Sequence, residues 1–257
     1  MKSKIMLAFI SFICIWLLLS VLLRTSSNGF VFHPEPSYNN LELIDFEQIY
    51  VDGMGGNKIS VHKYESISEV ATDKVILYLH GNAGPINSFM EHLTKAGTVY
   101  SPSYPGYGDS EGNPSQDGSY DAAMVTYNYL VNDLKIAENK ITIFGHSLGG
   151  SVSTYLASQK PNAAKLVLAN TFSSIQSMCF RQYSILCIFS YDLFNSAENA
   201  KKVKIPVTQF ALKTDKTIPF QEGEKLYTYF NPSSSSFVEL NKFTHSNLDW
   251  DLILPAL

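Results

Sequence analysis

The sequence predicts an α/β fold built on a mostly parallel, doubly wound sheet, because short apolar runs alternate with segments of helical pattern along most of the chain. Runs at 74–79, 97–101, 140–144 and 164–169 are rich in β-branched and aromatic residues. Short continuous apolar runs of this kind are typical of strands buried on both faces. A chain of 257 residues accommodates one sizeable domain of this class.

The predicted elements follow in order through a domain at 40–257. Runs at 43–52 and 58–64 lie on either side of the turn-rich sequence Gly53–Asn57 and predict a leading hairpin. The strand at 74–79 is followed by a helix from Pro85 to about Lys95, because proline suits a helix start. The remaining predicted elements are a strand at 97–101, a helix at 116–133, a strand at 140–144, a helix at 147–159, and strands at 164–169, 206–212 and 237–240.

The N-terminal segment 1–28 predicts a membrane anchor. Ile5–Leu23 is a run of 19 residues in which two serines are the only polar members. A helix of that length spans roughly the 30 Å hydrocarbon core of a bilayer. Two lysines precede the run and Arg24 alone follows it, so the charge bias predicts a single-pass protein with a cytoplasmic N-terminus and an extracytoplasmic domain. A cleaved signal peptide is the alternative, disfavoured by the length of the run and by the lack of a small-residue cleavage site after Arg24.

The composition narrows the classes of function. A net charge of −4 shows no excess of basic residues of the kind that binds nucleic acid, so a nucleic-acid-binding function is not expected. Charged residues make up 16% of the chain, below the roughly 25% usual for soluble domains, which fits a membrane-associated protein. No Cys/His cluster has metal-ligand spacing, so neither a metal nor another cofactor is expected. Cys179 and Cys187 either pair in an oxidising compartment or remain buried thiols.

The sequence Gly145-His-Ser-Leu-Gly149 predicts a nucleophile. It has the G-x-S-x-G pattern, with a predicted strand before it and a helical segment after it. The glycines leave room for a sharp turn that holds the Ser147 hydroxyl above the sheet. The helix N-terminus behind the turn favours developing negative charge.

A glycine-rich loop follows the predicted strand 74–79. In His80-Gly-Asn-Ala-Gly84, backbone N–H groups can point into a site and form an oxyanion hole together with the Leu148 amide. The Asn82 amide is the favoured second donor and Gly81 is the next candidate.

A base and an acid are expected after the last two strands. His245 follows the strand at 237–240, and Asp215 follows the strand at 206–212, so both belong to the sheet edge at which α/β proteins bind ligands. Asp249 is the rival acid, four residues after His245. The other histidines lie next to the nucleophile, in the glycine-rich loop, before the core strands or on a helix: His146, His80, His33, His62 and His92.

Three sequences together resemble the α/β-hydrolase superfamily: His80–Gly84, Tyr104–Gly108 with Ser110 and Gly112 beyond it, and Gly145–Gly149. They are most similar to small membrane-anchored serine hydrolases, a branch that includes the membrane-bound α/β-hydrolase domain-containing proteins and bacterial relatives. The resemblance covers nearly all of residues 40–257. It implies the α/β-hydrolase fold and hydrolysis of a carboxylic ester or thioester through an acyl-enzyme. Alternatives are a serine peptidase of the same fold and a non-catalytic scaffold.

Residues 171–200 interrupt the alternation at the position where this superfamily inserts a lid. Met178–Phe194 is strongly apolar and predicts a short helical cap that lines a pocket for an apolar acyl chain. Phe189 and Leu193 are the candidate pocket residues. The alternative is that these helices cover the core and never contact a substrate.

Overall fold

The computed structural model describes residues 6, 9–16, 29, 31–34, 45–68, 73–83, 89–183 and 193–257, with the side chains of 182 and 183 excepted. Most of the predicted membrane anchor therefore lies outside the described residues. Within the part that is described, no helix is both long enough and apolar enough to cross a membrane.

In the described residues, eight strands form one sheet in the order β1-β2-β4-β3-β5-β6-β7-β8. Strands β1 and β2 pair antiparallel and β2 pairs antiparallel with β4, whereas every pairing from β4 through β8 is parallel. The strand bounds are β1 Glu47–Asp52, β2 Lys58–Tyr64, β3 Val75–Leu79, β4 Thr98–Pro102, β5 Ile141–His146, β6 Lys165–Ala169, β7 Val207–Leu212 and β8 Ser235–Leu240.

Helices connect the parallel strands. The α-helices among the described residues are α1 Met90–Leu93, α2 Gln116–Asn132, α3 Leu148–Gln159, α4 Ile175–Tyr183, α5 Ser196–Ala200, α6 Phe220–Tyr227 and α7 Trp250–Ile253. Single turns of 3₁₀-helix lie at Met54–Gly56, Glu138–Lys140 and Leu254–Ala256. The predicted α/β alternation is confirmed, with one shift that bears on the site: β5 runs to His146, two residues beyond the predicted end at 144.

Both faces of the sheet are covered. Along β3 and β5, Leu77 and Ile143 point into one apolar cluster, while Tyr78 and Phe144 point into the other. Successive side chains of a strand point to opposite faces, so two clusters require a helical layer on each side. This is the doubly wound arrangement that the apolar runs predict.

The parallel pairing brings several strand ends to one edge. The carboxyl ends of β3, β5, β6, β7 and β8 lie side by side, with Leu79 paired to Gly145 and His146 paired to Ala169. Loops that are far apart in sequence therefore meet above this edge.

The cap segment begins and ends close together. The Ile175 amide donates to the Leu193 carbonyl at 3.0 Å, and the Ala197 amide donates to the Ser173 carbonyl at 3.0 Å. Leu193 packs within the main core cluster. Such contacts are those expected of a segment that covers the core. A role for Leu193 in a substrate pocket remains a prediction. Phe189 lies outside the described residues.

Of the two cysteines predicted either to pair or to remain thiols, one is described. Cys179 is disulfide-bonded, and its expected partner Cys187 lies outside the described residues.

Candidate active site

Ser147 occupies a strained turn between β5 and α3. Its backbone has φ 56° and ψ −123°, a conformation that non-glycine residues adopt at a cost of about 1–3 kcal/mol and that clusters at functional sites. A side chain at Gly145 would collide with the Ser153 hydroxyl, and one at Gly149 would collide with the Leu79 carbonyl oxygen. The two glycines are therefore required by close packing around the turn, as the sequence pattern predicts.

The three residues expected at the sheet edge are joined by hydrogen bonds. His245 Nε2 lies 3.0 Å from Ser147 Oγ, and His245 Nδ1 lies 2.6 Å from Asp215 Oδ2. With the proton on Nδ1, the imidazole donates to the carboxylate, and Nε2 is an acceptor for the serine hydroxyl. The rival acid, Asp249, is instead the residue that precedes α7.

The Asp215 carboxylate is held in its ionised form. Its side chain is only 1% exposed, and burial alone would raise its pKa. The hydrogen bond and charge interaction with His245, together with the amides of Ile218 and Thr217, outweigh burial and hold the Asp215 pKa below its usual range. Those two amides donate to Oδ1 at 2.9 and 2.8 Å, which leaves Oδ2 for the imidazole.

Two side chains that the sequence did not single out bind the backbone of His245. Its carbonyl oxygen accepts from His146 Nε2 at 2.8 Å and from Asn170 Nδ2 at 3.1 Å. Asn170 Oδ1 in turn accepts from the Leu212 amide at 3.0 Å, at the end of the strand that leads to Asp215. Asn170 has φ 48°, a left-handed conformation that asparagine tolerates better than most residues. One amide side chain thus links the loop of His245 to the strand that leads to Asp215.

His146 is neutral in this position. Its ring is buried and packs nearly perpendicular to the Phe89 ring, with ring centroids 5.0 Å apart. Burial, and after it the neighbouring His245, lower the His146 pKa to about 3. A neutral ring that donates from Nε2 keeps its single proton on the side facing the His245 carbonyl.

The predicted oxyanion loop, His80–Ala83, passes close to Ser147. A β-carbon on Gly81 would lie 3.4 Å from Cβ of Ser147. Two tyrosines hold the carbonyl groups of this loop: the Tyr104 hydroxyl donates to the His80 carbonyl at 2.9 Å, and the Tyr107 hydroxyl donates to the Asn82 carbonyl at 2.8 Å. Gly84, the last residue of the predicted glycine-rich loop, lies outside the described residues.

His80 supports the same loop from inside. Its ring stacks on Tyr104 with centroids 4.1 Å apart, and Nδ1 lies 2.6 Å from the Gly81 carbonyl oxygen. Burial lowers the His80 pKa to about 4. A neutral ring with its proton on Nδ1 donates to that carbonyl and steadies the turn into the loop.

The cap is anchored on a buried carboxylate. Glu222 of α6 is fully buried and accepts from the Ser173 hydroxyl at 2.6 Å, the Ser177 hydroxyl at 2.9 Å and Arg181 Nε at 3.1 Å. Helix α6 follows the Asp215 loop, so the segment predicted to form the cap is anchored next to the loop that carries Asp215. No group of three or more His, Cys, Asp and Glu side chains within the described ranges is placed to hold a metal ion.

Comparison with known proteins is consistent with this geometry. The family model described as alpha/beta hydrolase fold matches residues 74–182. The protein bem46 of Schizosaccharomyces pombe is 27% identical over 83% of this chain and 74% of its own length. The lysophosphatidylserine lipase ABHD12 of Danio rerio is 31% identical over 67% of this chain. The chain spans 55% of that lipase, about half of its length.

Solved structures show the same architecture. The Pyrococcus furiosus esterase Pf2001 superposes with a TM-score of 0.65 at 18% identity, covering 84% of this chain and 89% of the esterase. An alpha-beta hydrolase from Vibrio vulnificus superposes with a TM-score of 0.66 at 22% identity, covering 82% and 78% of the two chains. At these identities the likeness establishes the fold alone. The predicted resemblance to the α/β-hydrolase superfamily is confirmed, and the chain has the α/β-hydrolase fold.

Proposed function

We propose that this protein is a serine hydrolase that cleaves a carboxylic ester or thioester through an acyl-enzyme. The observation that carries the proposal is the hydrogen-bonded series Ser147–His245–Asp215, which begins on a strained turn and ends on a buried, ionised carboxylate. A nucleophile, a base in contact with it and a third group orienting the base are the parts that acyl transfer needs.

The proposed reaction begins as Ser147 Oγ attacks the substrate carbonyl carbon and its proton passes to His245 Nε2. The oxyanion is held by the backbone amides of Asn82 and Leu148, with Gly81 as the further candidate donor. The bond to the leaving group then breaks, and the departing alcohol or thiol takes the proton from Nε2. A water that gives its proton to His245 attacks the acyl-enzyme, the acid leaves, and Ser147 regains its hydroxyl proton. No step requires a metal or an organic cofactor.

We further propose that the small-molecule substrate carries an apolar acyl chain. The names of two similar proteins, a lysophosphatidylserine lipase and an esterase, support ester chemistry. The apolar cap over 171–200 supports the choice of acyl group, with Phe189 and Leu193 proposed to border the pocket.

The proposed setting is a membrane, with the chain anchored once, its N-terminus in the cytoplasm and its domain outside. In support, residues 9–16 are helical and exposed, with Phe9 and Phe12 more than 60% exposed. Apolar side chains exposed all round a helix require an apolar environment. Retention of the chain in membranes after alkaline washing would test the anchor, and release into the wash would contradict it.

The central experiment compares the parent chain with Ser147→Ala. We expect the parent to hydrolyse p-nitrophenyl esters and to be labelled covalently by a fluorophosphonate. The variant should lose labelling and about 10⁶ in turnover, because triad members act as a unit. Retention of a tenth of the activity would contradict the assignment of Ser147. A peptide substrate cleaved faster than any ester would favour the peptidase alternative, and a parent chain without labelling or turnover would favour the scaffold.

A further inference from the structure

A short segment that follows the predicted anchor packs against the proposed active site. Residues 31–33, called the strap below, contact the oxyanion loop through the backbone. The Asn82 side-chain amide donates to the Val31 carbonyl at 2.9 Å, and the His33 amide donates to the Asn82 carbonyl at 3.3 Å. The His33 amide also lies 3.1 Å from the Tyr107 hydroxyl, which itself donates to the same Asn82 carbonyl. The strap therefore binds the residue whose amide is the favoured oxyanion donor.

The strap is also part of the core. Val31 and Phe32 are both buried, and the Phe32 ring meets the Phe194 ring edge-on with centroids 5.8 Å apart. Phe194 lies at the base of the cap, and its carbonyl accepts from the Ser151 hydroxyl of α3, the helix behind the nucleophile. The strap thus touches the oxyanion loop on one side and the base of the cap on the other.

The distance along the chain between the strap and the predicted span is short. Val31 follows Arg24, the first residue beyond the apolar run, by seven positions. Even a fully extended chain covers at most about 25 Å over seven residues. A bilayer crossed by the apolar run must therefore lie within about 25 Å of the strap, which contacts the oxyanion loop.

We propose that the strap seats the mouth of the active site against the surface of the lipid bilayer, so that acyl substrates enter from the membrane. This inference rests on the proposed anchor and the proposed hydrolase activity. Two exposed aromatic side chains lie on elements that follow strand ends at the same edge of the sheet. Phe180 of the cap is 39% exposed, and Phe243, two residues before His245, is 51% exposed with φ 76°. A bulky aromatic residue in a left-handed conformation is an outlier of the kind that clusters at functional sites. A lipid surface would cover both rings.

The test lengthens the tether without altering the domain. A Gly/Ser segment of about twenty residues, with a mean span of about 25 Å, is inserted after Ser27 in the full chain. The control carries the same segment after Ser3, on the other side of the apolar run. Each chain is reconstituted in phosphatidylcholine vesicles and assayed on soluble p-nitrophenyl acetate and on a fluorogenic long-chain ester embedded in the vesicles.

We expect p-nitrophenyl acetate turnover to stay within twofold of the parent for both insertions. Turnover of the embedded ester should fall about five- to tenfold for the insertion after Ser27 alone, since the effective concentration of a tethered site falls roughly as the −3/2 power of tether length. Unchanged turnover of both substrates, or an equal loss on both, would overturn the inference while leaving the hydrolase assignment in place. A parent chain inactive on p-nitrophenyl acetate would instead contradict the proposed function.

Discussion

The centre of the site and the wall around it are held together in different ways. At the centre, Ser147, Asp215 and His245 bind one another through their side chains. In the wall, made of the strap, the oxyanion loop and the base of the cap, side chains bind backbone carbonyl groups, as Tyr107 binds that of Asn82. The centre is suited to moving a proton, whereas the wall determines where backbone donors lie. The two regions meet at the His245 carbonyl, which His146 and Asn170 hold in place.

The comparison of centre and wall predicts the largest loss of activity for a substitution at the centre that preserves the shape of the side chain. Asp215→Asn should lower kcat by about 10⁴, because an amide at this position holds the wrong imidazole tautomer. Steady-state kinetics on a p-nitrophenyl ester would measure the loss. The matched control is Asp249→Asn, which changes the rival acid and should leave kcat within a few-fold of the parent. The reverse pattern, with Asp249→Asn the damaging variant, would transfer the role of the acid to Asp249.

A smaller effect is expected where neighbouring side chains hold the backbone of His245. His146→Leu removes a donor to the His245 carbonyl, and a misplacement of the base by about 1 Å can cost about 10²-fold. We expect kcat to fall ten- to a hundredfold while KM stays within twofold. His146→Gln keeps an N–H donor and should recover most of the loss. Asn170→Ala should behave like His146→Leu.

A comparison of the glutamine and leucine variants at position 146 separates this positioning role from a packing role. If His146 acts only by filling space against Phe89, the glutamine variant should be no better than leucine. Both would then lower the unfolding temperature by the same amount, which circular dichroism would record alongside the kinetics.

The last prediction concerns stability and pH. The pKa values of His146 and His80 are lowered to about 3 and about 4 in the folded chain, against about 6.5 in an unfolded one. Below pH 6.5 these two histidines therefore bind protons in the unfolded state but not in the folded state. Each histidine should cost about 1.4 kcal/mol of stability per pH unit as the pH falls from 6.5 toward 4, and nothing above pH 7.

Thermal unfolding at pH 7.5, 6, 5 and 4.5 would measure this slope. His146→Gln removes one of the buried neutral histidines and should make the slope shallower. The slope, rather than the stability at pH 7.5, is the quantity compared between the two chains. An unfolding temperature that rises as the pH falls, or an equal slope in both chains, would contradict neutral burial of His146.

Much of the architecture follows from local pattern. The apolar runs predict the parallel strands within one to two residues, because a strand buried on both faces must be apolar throughout. The three residues expected at the carboxyl edge do meet there, since parallel pairing places those strand ends together. The helix that was expected from Pro85 is described only at Met90–Leu93, and the middle of the cap lies outside the described residues.

What the sequence by itself determined is the set of groups whose chemistry requires a particular side chain: a serine between glycines, a histidine and a carboxylate after successive strands. Only the tertiary structure decided which residues support them. Three of these side chains donate hydrogen bonds to backbone carbonyl groups of distant residues: His146, Asn170 and Tyr107. The strap accepts a hydrogen bond through its own Val31 carbonyl. The partners lie up to 99 residues apart in the sequence. Every residue carries a carbonyl group, so such an acceptor leaves no mark in the sequence. These contacts exist only once the sheet has brought distant loops to one edge.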